Sequence, residues 1–325
     1  MFEIIKVSLF SNKTVGMNSC NFQYKRAVQT SHKGIFNALL TIPEWNRIVI
    51  GDVKDGSISL WDTSVFEKID HIKAHKEGIT SFCFIKEKGL LVSASRDTTI
   101  QVRKITEQKV EKLSIELSAH SDTVRNILYS KKNNVILSGG EDADIKIWDG
   151  DNFSLKGKIQ TFRGGMGMSM ILLEDENLVG VGFTDGYIDF FSLISRKLVR
   201  RINTGNSNNH INCLTVLHNK KLLVSIVGHD CIKIWSLASK KPKLIKEIKS
   251  LGLSFVSNFI TFENNKILVI PVNHQSLKSL NIYSGKLHNE LTMKTYINFL
   301  TYNEALDLII GFHFRTGILS LIRYH

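Results

Sequence analysis

The chain has 325 residues, with 42 Lys plus Arg against 30 Asp plus Glu and a net charge of +12. Its 43% hydrophobic and 22% charged residues form a globular composition that can bury a sizeable core, and its three prolines argue against long disordered tails. No apolar run reaches the ~18 residues of a membrane span, and the four cysteines (Cys20, Cys83, Cys213, Cys231) contain no CxxC pair, which disfavours a membrane protein and a zinc cluster.

Residues 1–10 lack the unbroken apolar stretch of a signal peptide. With free thiols, this points to the cytosol or nucleus rather than a secreted product. Residues 2–10 (FEIIKVSLF) read as a strand with no local partner, and residues 11–31 as a loop, with a further strand as the alternative, leading towards the first of several similar segments. Three of these read alike: 53–62 (VKDGSISLWD), 140–149 (GEDADIKIWD) and 228–236 (GHDCIKIWS). Each joins a polar turn to a short alternating strand that ends in Trp61, Trp148 or Trp235. With the Trp as a ruler, weaker copies end at Arg103, Phe191, Tyr283 and Ile322, so that successive spacings are 42, 45, 43, 44, 48 and 39 residues. A period of this length is the mark of a repeat architecture.

The motifs resemble the WD40-repeat family over nearly the whole chain. The resemblance implies an all-β, seven-bladed β-propeller in one domain, each blade a four-stranded antiparallel sheet. The blades are expected at about 32–72, 75–117, 120–161, 163–204, 208–249, 253–292 and 294–325. Residues 1–12 are expected to complete the last blade and close the ring, removing two sheet edges. The family's hydrogen-bonded His–Ser–Asp–Trp chain falls on His120, Ser138, Asp142 and Trp148. The second repeat keeps His75, Ser93 and Asp97 but places Arg103 at the Trp position.

Other segments contain residue types that could carry chemistry. Residues 228–231 (GHDC) set His229, Asp230 and Cys231 side by side, but they fall where the other repeats have a turn. Residues 163–169 (RGGMGMS) resemble a phosphate loop only in composition, since a strand rather than a helix comes after them. Residues 161–165 (TFRGG) and the pair Arg200–Arg201 touch on the signature of phosphoinositide-binding propellers without completing it. The eleven histidines lack metal-ligand spacing, so no metal, cofactor or catalytic residue is expected.

Two surfaces remain. On the face of the turns joining first to second and third to fourth strands, Lys131, Lys132, Lys220, Lys221, Lys240 and Lys241 form a candidate basic patch for RNA phosphates or acidic segments. On the opposite face, the family resemblance implies partner contacts at the residue before each turn Asp, which brings Lys54, Arg96 and Arg315 to one sector. The reading is a non-catalytic, monomeric propeller that holds other proteins within a larger complex. Alternatives are a ribonucleoprotein or ribosome-assembly factor, an ASTRA-like factor for phosphatidylinositol-3-kinase-like kinases, and a phosphoinositide-binding propeller.

Overall fold

The computed structural model describes residues 22–29, 36–161, 167–205, 210–217, 221–228, 231–249, 251, 253, 259–262, 267–272, 276–292, 299–303, 308–312 and 318–324. Seven four-stranded antiparallel sheets are present. Six use four consecutive strands, spanning 36–73, 79–118, 124–160, 167–203, 211–248 and 260–292 (blades 1 to 6). Blade 7 consists of Phe299–Asn303, Leu308–Phe312 and Ile318–Tyr324, with Phe22–Gln29 as its fourth strand.

That fourth strand corrects one expectation. Ring closure does come from the N-terminal side of the chain, but through Phe22–Gln29 rather than residues 1–12, which lie outside the described residues. Phe22–Gln29 pairs antiparallel with Ile318–Tyr324, from Phe22 opposite Tyr324 to Gln29 opposite Ile318. It enters blade 1 after a short connection, whereas a strand at residues 2–10 would leave twenty-five residues to be spanned before Phe36. Backbone groups on the edge of Ile318–Tyr324 are thereby paired, as a sheet edge requires.

The core lies between the sheets. Seven apolar clusters occur, each drawn from two neighbouring blades, including one that joins Ile48, Ile50, Trp61 and Phe66 of blade 1 to Ile310 of blade 7. Second strands such as Arg47–Asp52, Val135–Gly140 and Leu222–Val227 are buried along their whole length. Both faces meet a neighbouring sheet, so these strands read as continuous apolar runs. Outermost strands such as Leu155–Gln160 and Leu198–Asn203 bury one residue each.

Register also moves one ruler. In blades 1, 3, 4 and 5 the ruler residue pairs with the second strand as Ile48–Trp61, Ile136–Trp148, Val179–Phe191 and Leu223–Trp235, directly after a bulge against the fourth strand. In blade 6 the same pairing and bulge fall on Leu280, opposite Leu268, and not on Tyr283. Tyr283 stands in the turn after that strand, largely exposed. An aromatic three residues late mimics, in the sequence, the aliphatic residue that fills the position.

The turns between second and third strands need a left-handed residue. Gly56 (φ 69°) and Gly186 (φ 80°) supply it in blades 1 and 4, but Thr98 (φ 70°) and Ala143 (φ 62°) stand there in blades 2 and 3. A β-branched residue is strained at such φ. Thr98→Gly is therefore expected to stabilise the protein by about 0.5–1 kcal/mol, the relief of strain outweighing the extra freedom of the unfolded chain. A lower urea midpoint for the variant would refute this.

Candidate interaction surfaces

In blade 3 the polar chain is complete. Trp148 Nε1–H donates to Ser138 Oγ (2.9 Å), Ser138 Oγ lies 2.8 Å from His120 Nε2, and His120 Nδ1 is 2.8 Å from Asp142. The Asp142 carboxylate assigns the tautomer of the neutral ring: Nδ1–H is donated to it, which leaves Nε2 to accept from the Ser138 hydroxyl. Asp142 also accepts from the Ser121 backbone N–H, tying the loop before the blade to the turn within it. Blade 2 repeats the arrangement through His75, Ser93 (2.8 Å) and Asp97 (3.1 Å).

Where Trp is missing in blade 2, Arg103 is buried and bonds differently. Its guanidinium donates to the carbonyls of Glu111, Lys112 and Ala74 and to the Gln101 side chain. Burial pushes its pKa down, opposed by nearby Glu116. In blades 3 and 5 a lysine two positions before the ruler makes the equivalent link to the preceding loop, Lys146 to Ala119 O and Lys233 to Thr204 O. Blade 2 has Gln101 at that position, so one guanidinium fills two roles. Blade 4 departs in its own way: Asp189, fully buried, is held by both Nε (2.7 Å) and Nη2 (2.8 Å) of Arg201. The Arg200–Arg201 pair is thus divided, with Arg201 committed to a structural carboxylate.

The basic patch is divided as well. Lys86 of blade 2 pairs with Glu44 of blade 1, and Lys131 of blade 3 with Glu87 of blade 2. Lys132 donates to the carbonyls of Glu174 (3.3 Å) and Asp175 (3.2 Å) in blade 4, and its backbone N–H to Glu174 Oε1 (2.9 Å). These lysines link successive blades rather than forming a free cationic field. Lys221 and Lys240 line a notch between blades 4 and 5, Lys241 is exposed beside it, and Lys220 lies outside the described residues.

On the opposite face, Lys54 and Arg96 flank one backbone junction. The position a Gly78 Cβ would take is 1.7 Å from Val53 O, beside Lys54, and Gly78 O accepts the Arg96 N–H (2.9 Å). Both side chains are exposed, and among the described residues neither forms an ion pair. Arg315, expected in the same sector, lies outside the described residues. So do His229, Asp230 and residues 163–166. Cys231 is buried, donates to Glu247 (3.5 Å), and burial with that carboxylate pushes its thiol up to about 11, which makes it a poor nucleophile. Met170, just past the glycine-rich segment, packs between blades 3 and 4 against Gly139. Among the described residues no three His, Cys, Asp or Glu side chains converge as metal ligands, and no helix is long and apolar enough to cross a membrane.

Several known proteins share this geometry or its motifs. The family model described as WD domain, G-beta repeat, matches residues 66–103 and 111–149. WD repeat-containing protein 55 of Mus musculus is 26% identical over 233 residues, covering 69% of this chain and 56% of that protein. The Arabidopsis thaliana protein of the same name is 23% identical over 210 residues, covering 65% and 58%. WD repeat-containing protein 37 of Mus musculus is 23% identical over 171 residues, covering 52% and 34%. The match thus spans little more than half the length of the first two relatives. The crystal structure of Chaetomium thermophilum Raptor superposes with a TM-score of 0.81 at 15% identity over 94% of this chain and 30% of that one, a likeness of fold alone.

The two polar chains differ in what depends on the serine. Ser138→Ala leaves both His120 Nε2 and Trp148 Nε1–H without a partner in the core, whereas Ser93→Ala strands His75 and removes only a long contact to the Gln101 carbonyl (3.5 Å) besides. Expected costs are about 2–4 and about 1–2 kcal/mol respectively, read from urea midpoints. Equal costs would show that the indole bond contributes nothing.

The same chain sets a pH dependence. Burial lowers the His120 pKa, outweighing the Asp142 carboxylate that would raise it. Burial alone would raise Asp142, but the Ser121 N–H and His120 hold it below its usual value. Both folded-state pKa values are depressed, so their stabilisation is whole above the unfolded values and lost as pH falls. For His120 the loss starts near 6.5 and for Asp142 near 3.8. His120→Gln should therefore be destabilised at pH 7, with its deficit against wild type shrinking towards pH 5. A deficit that grows on acidification would overturn the assignment.

Proposed function

This chain is a WD40-repeat β-propeller, and we propose that it serves as a non-catalytic platform holding other proteins within a larger complex. The observation that supports the reading most is a pair of exposed cations fixed on either side of one backbone junction. On the face of the first-to-second and third-to-fourth turns, the lower face, Lys86, Lys131 and Lys132 are engaged by carboxylates or carbonyls of neighbouring blades, while Lys221, Lys240 and Lys241 form no ion pair among the described residues. Lys54 and Arg96 stand exposed on the other face, on either side of one junction. Two adjacent cations on a fixed backbone suit an acidic segment of a partner, and a guanidinium can grip a carboxylate with two parallel hydrogen bonds. Arg315 is proposed to join them across the blade 7–blade 1 boundary. A strained or mobile scaffold would lose such a pair to side-chain entropy, but the seven interlocked clusters hold these turns in place.

RNA is the rival partner class. A surface that binds phosphates needs cations free to displace counterions; Lys131 and Lys132 are engaged, whereas Lys221, Lys240 and Lys241 form no ion pair among the described residues, so the choice between the two classes falls to experiment. The test is purification of the tagged protein from its native cells, with and without nuclease, at two salt concentrations. A discrete set of proteins should survive nuclease, and Lys54→Glu with Arg96→Glu should strip at least one of them without lowering the thermal midpoint. Loss of every partner on nuclease treatment, or retention of all of them by the double variant, would reject this reading.

A further inference from the structure

Exposed apolar side chains are not scattered evenly over this ring. Among the described residues ten large ones are exposed, and eight of them lie where the outermost strands of blades 3 to 6 begin. Four share one register: Leu155, Leu198, Leu244 and Leu287 each stand opposite the third-strand residue that follows the bulge, and are between 43% and 52% exposed. Val199 and Ile245 fill the bulges beside two of them, and Ile194 and Tyr283 stand in the turns just before the strands. The fold does not require leucine in this register, since blades 1 and 2 carry Lys68 and Ser114 there. A single exposed Leu is ordinary, whereas one register repeated in four successive blades makes a surface. Its members are joined: Arg196 of blade 4 donates to Lys156 O of blade 3 (2.8 Å), and Lys246 of blade 5 to Tyr283 O of blade 6 (3.4 Å).

Positive charge accompanies this belt over blades 4 to 6. Residues 194–200, 238–249 and 283–290 contain nine Lys or Arg against two carboxylates, Glu247 and Glu290. Asp175 and Glu176, on the adjoining turn of blade 4, raise the carboxylates to four. Three of those are committed: Glu176 to Arg200, Glu247 to Lys233 and Lys249, and Glu290 to Lys278. Lys197, Lys240, Lys241, Lys243 and Lys286 are exposed and form no ion pair among the described residues. In blade 3 the charges are paired, Lys156 with Asp149 and Lys158 with Asp144, so Leu155 marks the margin.

Charge and shape together select the occupant. A second copy of this chain would bring the same excess of cations against it. A phosphate backbone would meet the lysines but gain nothing from the leucines, and Tyr283 is the one aromatic of the belt on which a base could stack. Blades 3 and 6 stand three steps apart on a seven-bladed ring, roughly 150°, so a flat bilayer reaches only part of the belt at once. An extended chain can follow that curve.

We propose that the outer rim of blades 4 to 6 binds an extended segment of a partner protein in which Asp or Glu is interspersed with Leu, Ile or Val, the aliphatic side chains lying on Leu198, Leu244 and Leu287 and the carboxylates meeting the lysines between them. The site rests on the platform reading and is a second point of attachment, apart from Lys54 and Arg96. The lysines steer the acidic segment in, and the leucines hold it by losing their contact with water.

The probe is an acetylated and amidated peptide of four Asp-Leu-Glu-Ser repeats, titrated into the whole chain by calorimetry. One control peptide has Ser in place of Leu, and a second has Asn and Gln in place of Asp and Glu. The parent peptide should bind at least about tenfold more tightly than either. Combined Leu198→Ser, Leu244→Ser and Leu287→Ser, at exposed sites that leave the thermal midpoint in place, should lose about tenfold, and Lys241→Glu with Lys243→Glu several-fold. Val65→Ser with Ile115→Ser, the two exposed apolar residues off the belt, should change nothing. Equal binding of the leucine-free peptide, full affinity in the triple variant, or no binding at about 5 mM peptide would each overturn the proposal. So would displacement of the peptide by oligouridylate, self-association that the triple variant abolishes, or binding to phosphatidylserine vesicles that the triple variant abolishes. Arg96→Glu should leave this affinity unchanged, so failure here and failure of the upper-face reading can be told apart.

Discussion

Apolar side chains in this protein are buried between sheets rather than within them, and most other features depend on that constraint. A four-stranded sheet with two apolar faces is stable only when both faces are covered, and a ring gives all seven blades two neighbours. Ile310 against Ile48 and Trp61 is the point at which the last blade meets the first. Because each interface is shared, a change in one blade is felt in the next. Gly139 shows how close the fit is: a Cβ there would stand 2.2 Å from Met170 Sδ of the adjoining blade.

Polar groups obey the same lateral logic. Buried donors and acceptors at the ring's interfaces must be paired, and the chain does so with different residues in each blade. His120, Ser138, Asp142 and Trp148 do it within blade 3. Arg103, Lys146 and Lys233 reach instead to carbonyls of the loop before their blade. Where a guanidinium stands in for an indole, the position keeps its burial and changes its bonding. Blade 2 is therefore a different solution to the same requirement and not a degenerate copy.

The sequence carries this fold in its period, because in blades 1, 3, 4 and 5 the ruler residue sits directly after a bulge at one fixed place and is buried there. The His–Ser–Asp pairs of blades 2 and 3 are readable for the same reason: their spacing within a repeat is set by a hairpin. Two features mislead. Tyr283 is aromatic and near the right place, while Leu280, which occupies it, has nothing to distinguish it from other leucines. Residues 2–10 alternate convincingly, but closure depends on which segment reaches Ile318–Tyr324. The lower-face lysines look free in the sequence because their partners, Glu44, Glu87 and Glu174, lie about forty residues away in other blades. Nor can composition indicate the leucine belt of blades 3 to 6, since its members share a register only once the strands are paired.

Closure by Phe22–Gln29 also has a consequence in time. Its partner, Ile318–Tyr324, is made about 290 residues later. At about 5–20 residues per second of synthesis, the early strand waits roughly 15–60 s with an unsatisfied edge while the intervening blades stack on one another. Such a pairing has the greatest sequence separation the fold offers, so it is entropically the slowest to form. A nascent chain of six blades is an open arc with an apolar face at each end. It is in that interval, rather than in the finished ring, that the protein is most exposed to pairing with another copy of itself or to capture by a chaperone.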